Sequence, residues 1–270
     1  MYIENVGTSG CYMVNHRETS TITNVPGCLG SVRDGIQKGY IGMEMGQSAM
    51  GDIFLWLSNM TKMKINQLEM NAKNEMHQRK KLLKNVTDSS MARLPLALDW
   101  FNGCRSPFNN GSLKGGIFQL DLTTTPGQLY LAIAEGLACG ALQNKLNFIK
   151  SGVDIHSVVA AGGLPHNAPL LLQIFADALQ VPIRTTSVQQ SGAVGASIFG
   201  AVASNEYDSV EDAVEAMSTP GLMNGTIIYP DKSPEVKKYW KNVYSKYLQL
   251  QKLELLLNKE EGEEGEGKEF

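Results

Sequence analysis

Residues 157–185 read SVVAAGGLPHNAPLLLQIFADALQVPIRT, and the order of their apolar runs decides the fold class. Ser157–Ala161 is short and apolar, and it stops at Gly162-Gly163, the pattern of a buried strand ending in a glycine turn. A helix is expected over Pro165–Leu179, a short strand over Val181–Thr185, and a further helix from Gly192 to Ala203. Short apolar strands alternating with helices of roughly 15 residues define an α/β layer. Paired glycines before a helix let the backbone lie against a flat ligand, and the helix N-terminus adds N–H donors and a positive dipole end. A purely structural turn uses the same glycines, so this stretch alone leaves both uses open.

Upstream, Thr125-Pro126 supplies an N-cap followed by proline at the first helical position, opening a helix to about Ile149. Gly136 and Gly140 lie four apart on it and admit a close neighbour on one face. Leu94–Trp100 is expected as a strand running into a Gly- and Asn-rich loop over 102–116. The first 45 residues read as an antiparallel meander, broken at Pro26-Gly27 and Asp34-Gly35. It feeds a helix over Ser48–Met60, where Met50, Ile53, Phe54, Leu57 and Met60 recur at helical spacing. Residues 61–93, rich in Lys, Asn, Gln and Met, read as a mobile helical insertion. Downstream, Ser233-Pro234 opens a last helix whose Val236, Tyr239, Val243, Tyr247 and Leu250 share one stripe. That helix is expected to pack across the sheet as core and to end where an acidic tail begins.

With 270 residues and 43% hydrophobic content the chain can bury one large core, and 27 glycines favour a loop-rich α/β protein over a helical bundle. The net charge of -3 is concentrated at residues 260–270, EEGEEGEGKEF, so the expected organisation is one domain over 1–258 and a disordered acidic tail over 259–270. The body is then close to neutral, which argues against a nucleic-acid partner. Cys11, Cys28, Cys104 and Cys139 form no C-x-x-C pair and no apolar leader follows Met1, so reduced thiols and a cytoplasmic setting are expected. No apolar run approaches the ~18 residues of a membrane span. His16, His77, His156 and His166 show no ligand spacing, and no metal ligands are assigned. Self-association stays open.

Two further stretches carry candidate chemistry. Gly7-Thr8-Ser9, between two strand-like runs, can offer hydroxyl and backbone donors to phosphate oxygens, although the same residues make ordinary hairpins. In Ile41–Trp56, IGMEMGQSAMGDIFLW, Glu44 beside glycines can accept hydrogen bonds from sugar hydroxyls or hold a metal, while Asp52 suits a helix start stabilised by the dipole.

Taken in chain order, Gly7-Thr8-Ser9, Gly42-x-Glu44-x-Gly46-Gln47-Ser48-Ala49-x-Gly51-Asp52-Ile53, Leu98-Asp99-Trp100-Phe101-Asn102-Gly103, Gly162-Gly163 and Gly192-Ala193-x-Gly195-Ala196 resemble the successive blocks of the C-terminal half of FGGY carbohydrate kinases. The second and third blocks are similar to the ribulokinases of that family in particular. The resemblance runs to about Leu250. It implies a ribonuclease H-like domain of the actin-like ATPase superfamily, with ATP between two such domains and magnesium-dependent phosphoryl transfer to the C5 hydroxyl of ribulose. Positioning and charge stabilisation supply most of the rate in such transfers.

By the same resemblance Gly7 and Thr8, with Ser9, approach the β- and γ-phosphates, Gly51 lies near the nucleotide, Gly162 and Gly163 match the adenosine motif, and Glu44 matches an acid that reaches the sugar. The family usually places Asn five residues after the second glycine; here Ala168 stands there and Asn167 is one place early. Where an Arg pair often follows Asn-Gly, this chain has Cys104-Arg105. The general base of the family is an aspartate shortly before the Gly-Thr-Ser element, so it is expected from an N-terminal kinase domain that also brings a phosphate loop and most sugar contacts. No catalytic residue is assigned here, and the chain alone is expected to be inactive. The alternatives are a stand-alone nucleotide-binding or interaction module derived from such a kinase, and a kinase half acting on another sugar such as xylulose.

Overall fold

The computed structural model describes residues 2–6, 8–17, 25–83, 94–163, 168–188, 190–218 and 224–263, with the backbone alone at 2–6, 80–83 and 260–263. Four strands open the chain: β1 (Tyr2–Val6), β2 (Gly10–Arg17), β3 (Gly30–Arg33) and β4 (Tyr40–Gln47). Alternate residues of β2 and β4, Tyr12 and Val14 with Met43, Met45 and Gln47, turn into the core, as the two-residue period of a half-buried sheet requires. Next come α1 (Gly51–Thr61), α2 (Ile65–Leu83), β5 (Leu96–Leu98), β6 (Gly116–Phe118) and α3 (Pro126–Lys150). The chain then runs through β7 (Val158–Ala161), α4 (Pro169–Leu179), β8 (Ile183–Thr185), α5 (Ser191–Ala203), α6 (Val210–Met217), β9 (Ile227–Ile228) and α7 (Pro234–Glu263).

Seven strands form one mixed sheet in the order β3-β4-β2-β1-β7-β8-β9, and β5 with β6 forms a small second one. β1, β7 and β8 run parallel, while the other pairings of the large sheet are antiparallel. The α/β layer is therefore present, but the opening strands are not a separate meander. β1 pairs with β2 on one side and β7 on the other, so hairpin and crossover strands are fused. Nor is the order along the sheet sequential. β4 carries Met43 and Met45 into the core and takes the inner place beside β2, leaving the fully exposed β3 at the edge.

The centre of the packing is α3. Thr125 caps it in a reciprocal box, its hydroxyl accepting from Gln128 N–H (3.1 Å) and its own N–H donating to Gln128 Oε1 (3.1 Å). Residues from every side of this helix are buried, among them Tyr130, Leu131, Ile133, Leu137, Cys139 and Phe148, so it is a core helix with neighbours all round. Gly136 faces the Ala97 carbonyl of β5, which a Cβ would approach to 2.3 Å, and Gly140 faces the side chains of Gln47 and Asp99.

Residues 65–83 are helical as expected, and α2 is docked: Leu68 and Ala72 are fully buried and the helix packs on α3. Most of its polar residues face outward, while its carboxylates stitch it down. Glu75 accepts from the Thr125 hydroxyl (2.8 Å) and Glu69 accepts from Leu170 N–H (3.3 Å). The remainder of that insertion, 84–93, lies outside the described residues. α4 starts at Pro169 rather than Pro165, with Ala168 as its N-cap. α7 buries Val236, Val243 and Tyr247 of the expected stripe, together with Trp240, against α3, α4 and β5 instead of the large sheet. It continues to Glu263, into the stretch read as a tail, and 264–270 lie outside the described residues. α6 and β9 were not anticipated.

The close approach at Gly136 sets up a contest of known size. Alanine in a helix interior is worth up to about 1 kcal/mol over glycine, whereas forcing a methyl into filled space costs about 1–3 kcal/mol. Gly136→Ala is therefore expected to lower the urea midpoint, while Gly200→Ala on α5, which meets nothing within 4 Å, is expected to raise it slightly. A gain in stability at both positions would contradict the packing of α3 on β5.

Candidate functional site

Three parallel strands end at the same edge of the large sheet, and the segments that follow them carry the candidate residues. The register Asn5↔Ala161 puts the ends of β1 and β7 side by side, and Ala160↔Thr185 brings β8 level with them. Beyond β1 lies the turn holding Thr8 and Ser9, beyond β7 lie Gly162 and Gly163, and beyond β8 the chain enters α5 with Gly192 and Gly195. In open α/β sheets ligands bind outside the carboxyl ends of the strands, because the chain turns away there and leaves a crevice. Gly162 has φ +97, a left-handed conformation that favours glycine, and Gly163 is exposed with nothing within 4 Å of where its side chain would be.

Gly51 joins this edge through α1. Met50 N–H donates to the Thr8 carbonyl (2.8 Å), so the helix begins against the β1–β2 hairpin. No side chain caps that helix start, which leaves its first-turn N–H groups as donors, while Asp52 in the first turn complements the dipole. The structure thus gathers Thr8, Ser9, Gly51, Gly162 and Gly163 from three separated blocks of sequence. Gly7 and Asn167 lie outside the described residues.

Glu44 stands apart from this group. It sits on β4 three residues before Gln47, which pairs with Gly10 at the hairpin end, so it is about 10 Å along the strand from that edge. Its carboxylate meets Arg105 from the loop after β5, with Nη2 3.1 Å from Oε1. The sequence marks Arg105 as a loop residue but gives no sign of its partner, which lies 61 residues away. Cys11, paired with Gly46 across the sheet, shares their surroundings; burial raises its thiol pKa first, Glu44 raises it further, and Arg105 pulls it back.

Behind β4 lies a buried polar hub that the sequence motifs contained without explaining. Gln47 Nε2 donates to Asp99 Oδ2 (2.5 Å) and to the Leu137 carbonyl (3.0 Å), while its Oε1 accepts from the Tyr12 hydroxyl. Tyr247 Oη donates to Asp99 Oδ1 (2.5 Å). Burial pushes the Asp99 carboxyl up to about 6, with the bonds from Tyr247 and Gln47 pulling it down. A signal was present in the Gly140 position, since only a residue without a side chain leaves room there for Gln47 and Asp99.

A mixed sheet whose parallel strands end together at one edge, backed by helices, is the architecture of the actin-like ATPases, and comparison with solved structures agrees. A xylulose kinase from Lactobacillus acidophilus superposes with a TM-score of 0.70 at 17% identity, covering 93% of this chain and 47% of its own. A glycerol kinase from Plasmodium falciparum, solved with ADP, gives 0.67 at 14% identity, covering 92% and 46%. The chain belongs to the FGGY family of carbohydrate kinases, whose C-terminal domain model matches residues 4–204. Similar relatives include the ribulokinases of Bacillus licheniformis, 33% identical over 91% of this chain and 44% of that protein, and of Halalkalibacterium halodurans, 34% identical over 91% and 43%. The chain thus spans less than half the length of these relatives.

The hub gives stability a defined pH dependence. An unfolded aspartate titrates near 3.9, so between about pH 4 and the folded value of about 6 the native state holds the extra proton. Stability falls as pH rises through that window, and the penalty for ionising Asp99, on the order of 3 kcal/mol, is fully present above it. Urea unfolding at pH 4.5 and 7 is expected to show this slope in the parent and a flatter one in Asp99→Asn; equal slopes would remove Asp99 as its source.

Proposed function

We propose that this chain is the nucleotide-binding C-terminal half of an ATP-dependent sugar kinase with ribulose as the phosphate acceptor. The observation that carries the proposal is the alignment of the ends of β1, β7 and β8 at one edge, where Thr8-Ser9, Gly162-Gly163 and the start of α5 follow them. In this reading Gly7, Thr8 and Ser9 meet the β- and γ-phosphates, Gly51 and the open start of α1 add donors beside them, and Gly162 and Gly163 face the adenosine, with Asn167 near it. Glu44, about 10 Å along β4 from that edge, accepts a hydrogen bond from a sugar hydroxyl, and ribulose is favoured because the relatives at 33 and 34% identity are ribulokinases.

Magnesium arrives with the phosphates. Among the described residues no three His, Cys, Asp or Glu side chains converge into a metal site, and this ion is commonly held by substrate phosphates with one or two carboxylates. The general base comes from an N-terminal kinase domain, which also closes the other side of the cleft. The domain is assigned to residues 1–258, with α7 running on to Glu263, and four free thiols suit a cytoplasmic setting. No described helix is long and apolar enough to cross a membrane.

Combining the chain with the N-terminal half of a ribulokinase is expected to yield ribulose-dependent ADP formation that neither part shows alone, because proton abstraction needs a base within hydrogen-bond reach. Gly163→Leu tests the nucleotide edge directly. A Cβ at this exposed position meets no atom within 4 Å, so the thermal midpoint should hold while ADP binding weakens about tenfold. Unchanged ADP affinity in that variant would displace the nucleotide from this edge.

A further inference from the structure

Three segments meet at Gly46. Its N–H donates to Ser106 Oγ (3.1 Å), its carbonyl accepts from Ser106 N–H (3.1 Å), and the Ser106 hydroxyl donates to the Gly27 carbonyl (2.8 Å). The loop over 104–110 is closed on itself by reciprocal backbone bonds between Cys104 and Asn110, of 2.9 and 2.8 Å. A loop fastened in this way to β4 and to the turn before β3 presents its arginine from a fixed base. The Arg105 stem then lies over Gly46, where a Cβ would stand 2.7 Å from Cδ and 3.0 Å from Nε. From that seat the guanidinium reaches Glu44, two residues along the same face of β4.

Both side chains of the pair are more than a third exposed, at 39% and 37%, so their attraction is screened and adds little to stability. What the contact does govern is direction. Glu44 Oε1 is engaged by Nη2 and the Cys11 thiol lies within hydrogen-bonding reach of both partners, yet a carboxylate has about four acceptor sites and a guanidinium about five N–H donors, so the pair retains capacity for a further ligand. An acceptor held beside donors in fixed geometry matches the hydroxyls of a polyol, each of which both donates and accepts.

We propose that Arg105 is a positioning residue of the sugar site: seated on Gly46 and anchored through Ser106, it fixes the Glu44 carboxylate for a hydroxyl of the phosphate acceptor. This rests on Glu44 being the acid that meets the sugar. Gly46 has ordinary strand backbone, so its role here is the space it leaves for the Arg105 stem.

Two measurements separate this inference from the reading beneath it. In the chain alone, Cys11 reports the pair, and the pH midpoint of its alkylation is followed by mass spectrometry of the Cys11 peptide. Arg105→Ala should move the midpoint up, Glu44→Gln should move it down, and Gly46→Ala, which keeps both charges but displaces the stem, should follow Arg105→Ala. Unmoved midpoints would show that the pair is not formed and overturn the proposal. In the chain combined with a ribulokinase N-terminal half, Arg105→Ala and Gly46→Ala should raise the KM for ribulose about tenfold, leave the KM for ATP within about twofold, and be partly rescued by Arg105→Lys. If Glu44→Gln raises the ribulose KM and the Arg105 variants do not, positioning fails while the sugar reading stands. If Glu44→Gln also has no effect, or no activity is recovered, the sugar reading fails and this inference falls with it.

Discussion

Asp99, at 4% exposure, accepts from Gln47 on β4 and from Tyr247 on α7, and Gln47 in turn binds Tyr12 on β2 and the Leu137 carbonyl on α3. Four elements far apart in the chain share this one knot. Burying a carboxylate costs free energy that its hydrogen bonds only partly offset, yet each bond demands a particular residue at a particular height. With Gln47 drawn inward, the alternation of β4 sends Glu44 to the opposite face, and a slip of one residue would exchange them. The placement of Glu44 is thus decided on the far side of the sheet.

The same knot explains why the helix behind it carries glycines. A methyl at Gly140 would stand 2.4 Å from Gln47 Nε2 and 2.9 Å from Asp99 Oδ2, and at Gly136 it would strike β5. Intrinsic helix preference yields to packing at both. A second buried group, in which Arg79 (2.9 Å) and Tyr239 both bond Glu135 Oε1, fastens α2 and α7 to the opposite side of α3. The central helix is thereby clamped by polar contacts on two sides, and its apolar residues fill what lies between.

Much of this could be read in the chain before any coordinates. The strand-glycine-helix alternation after Val153 identified the α/β layer, Thr125-Pro126 located the start of α3, and the stripe on α7 located a core face. Pairings between distant segments could not be read. Nothing local in Tyr2–Val6 announces that it will lie between β2 and β7, nor that β4 will displace β3 from the inner position. The polar composition of α2 concealed Leu68 and Ala72, because two buried positions suffice to seat a helix on its neighbour. At the site, glycines were legible because their conformational needs are local. The Arg105–Glu44 pair was not, since a loop brings it together.

The sheet ends in short strands on both sides. β3 has four residues, all exposed, and β9 has two. A long, flat, unpaired strand is a template on which a foreign segment can add by backbone hydrogen bonds, and brevity removes the template. Strand addition is therefore a poor way to bind this domain. Recognition through side chains and loops would leave the ladder beneath undisturbed.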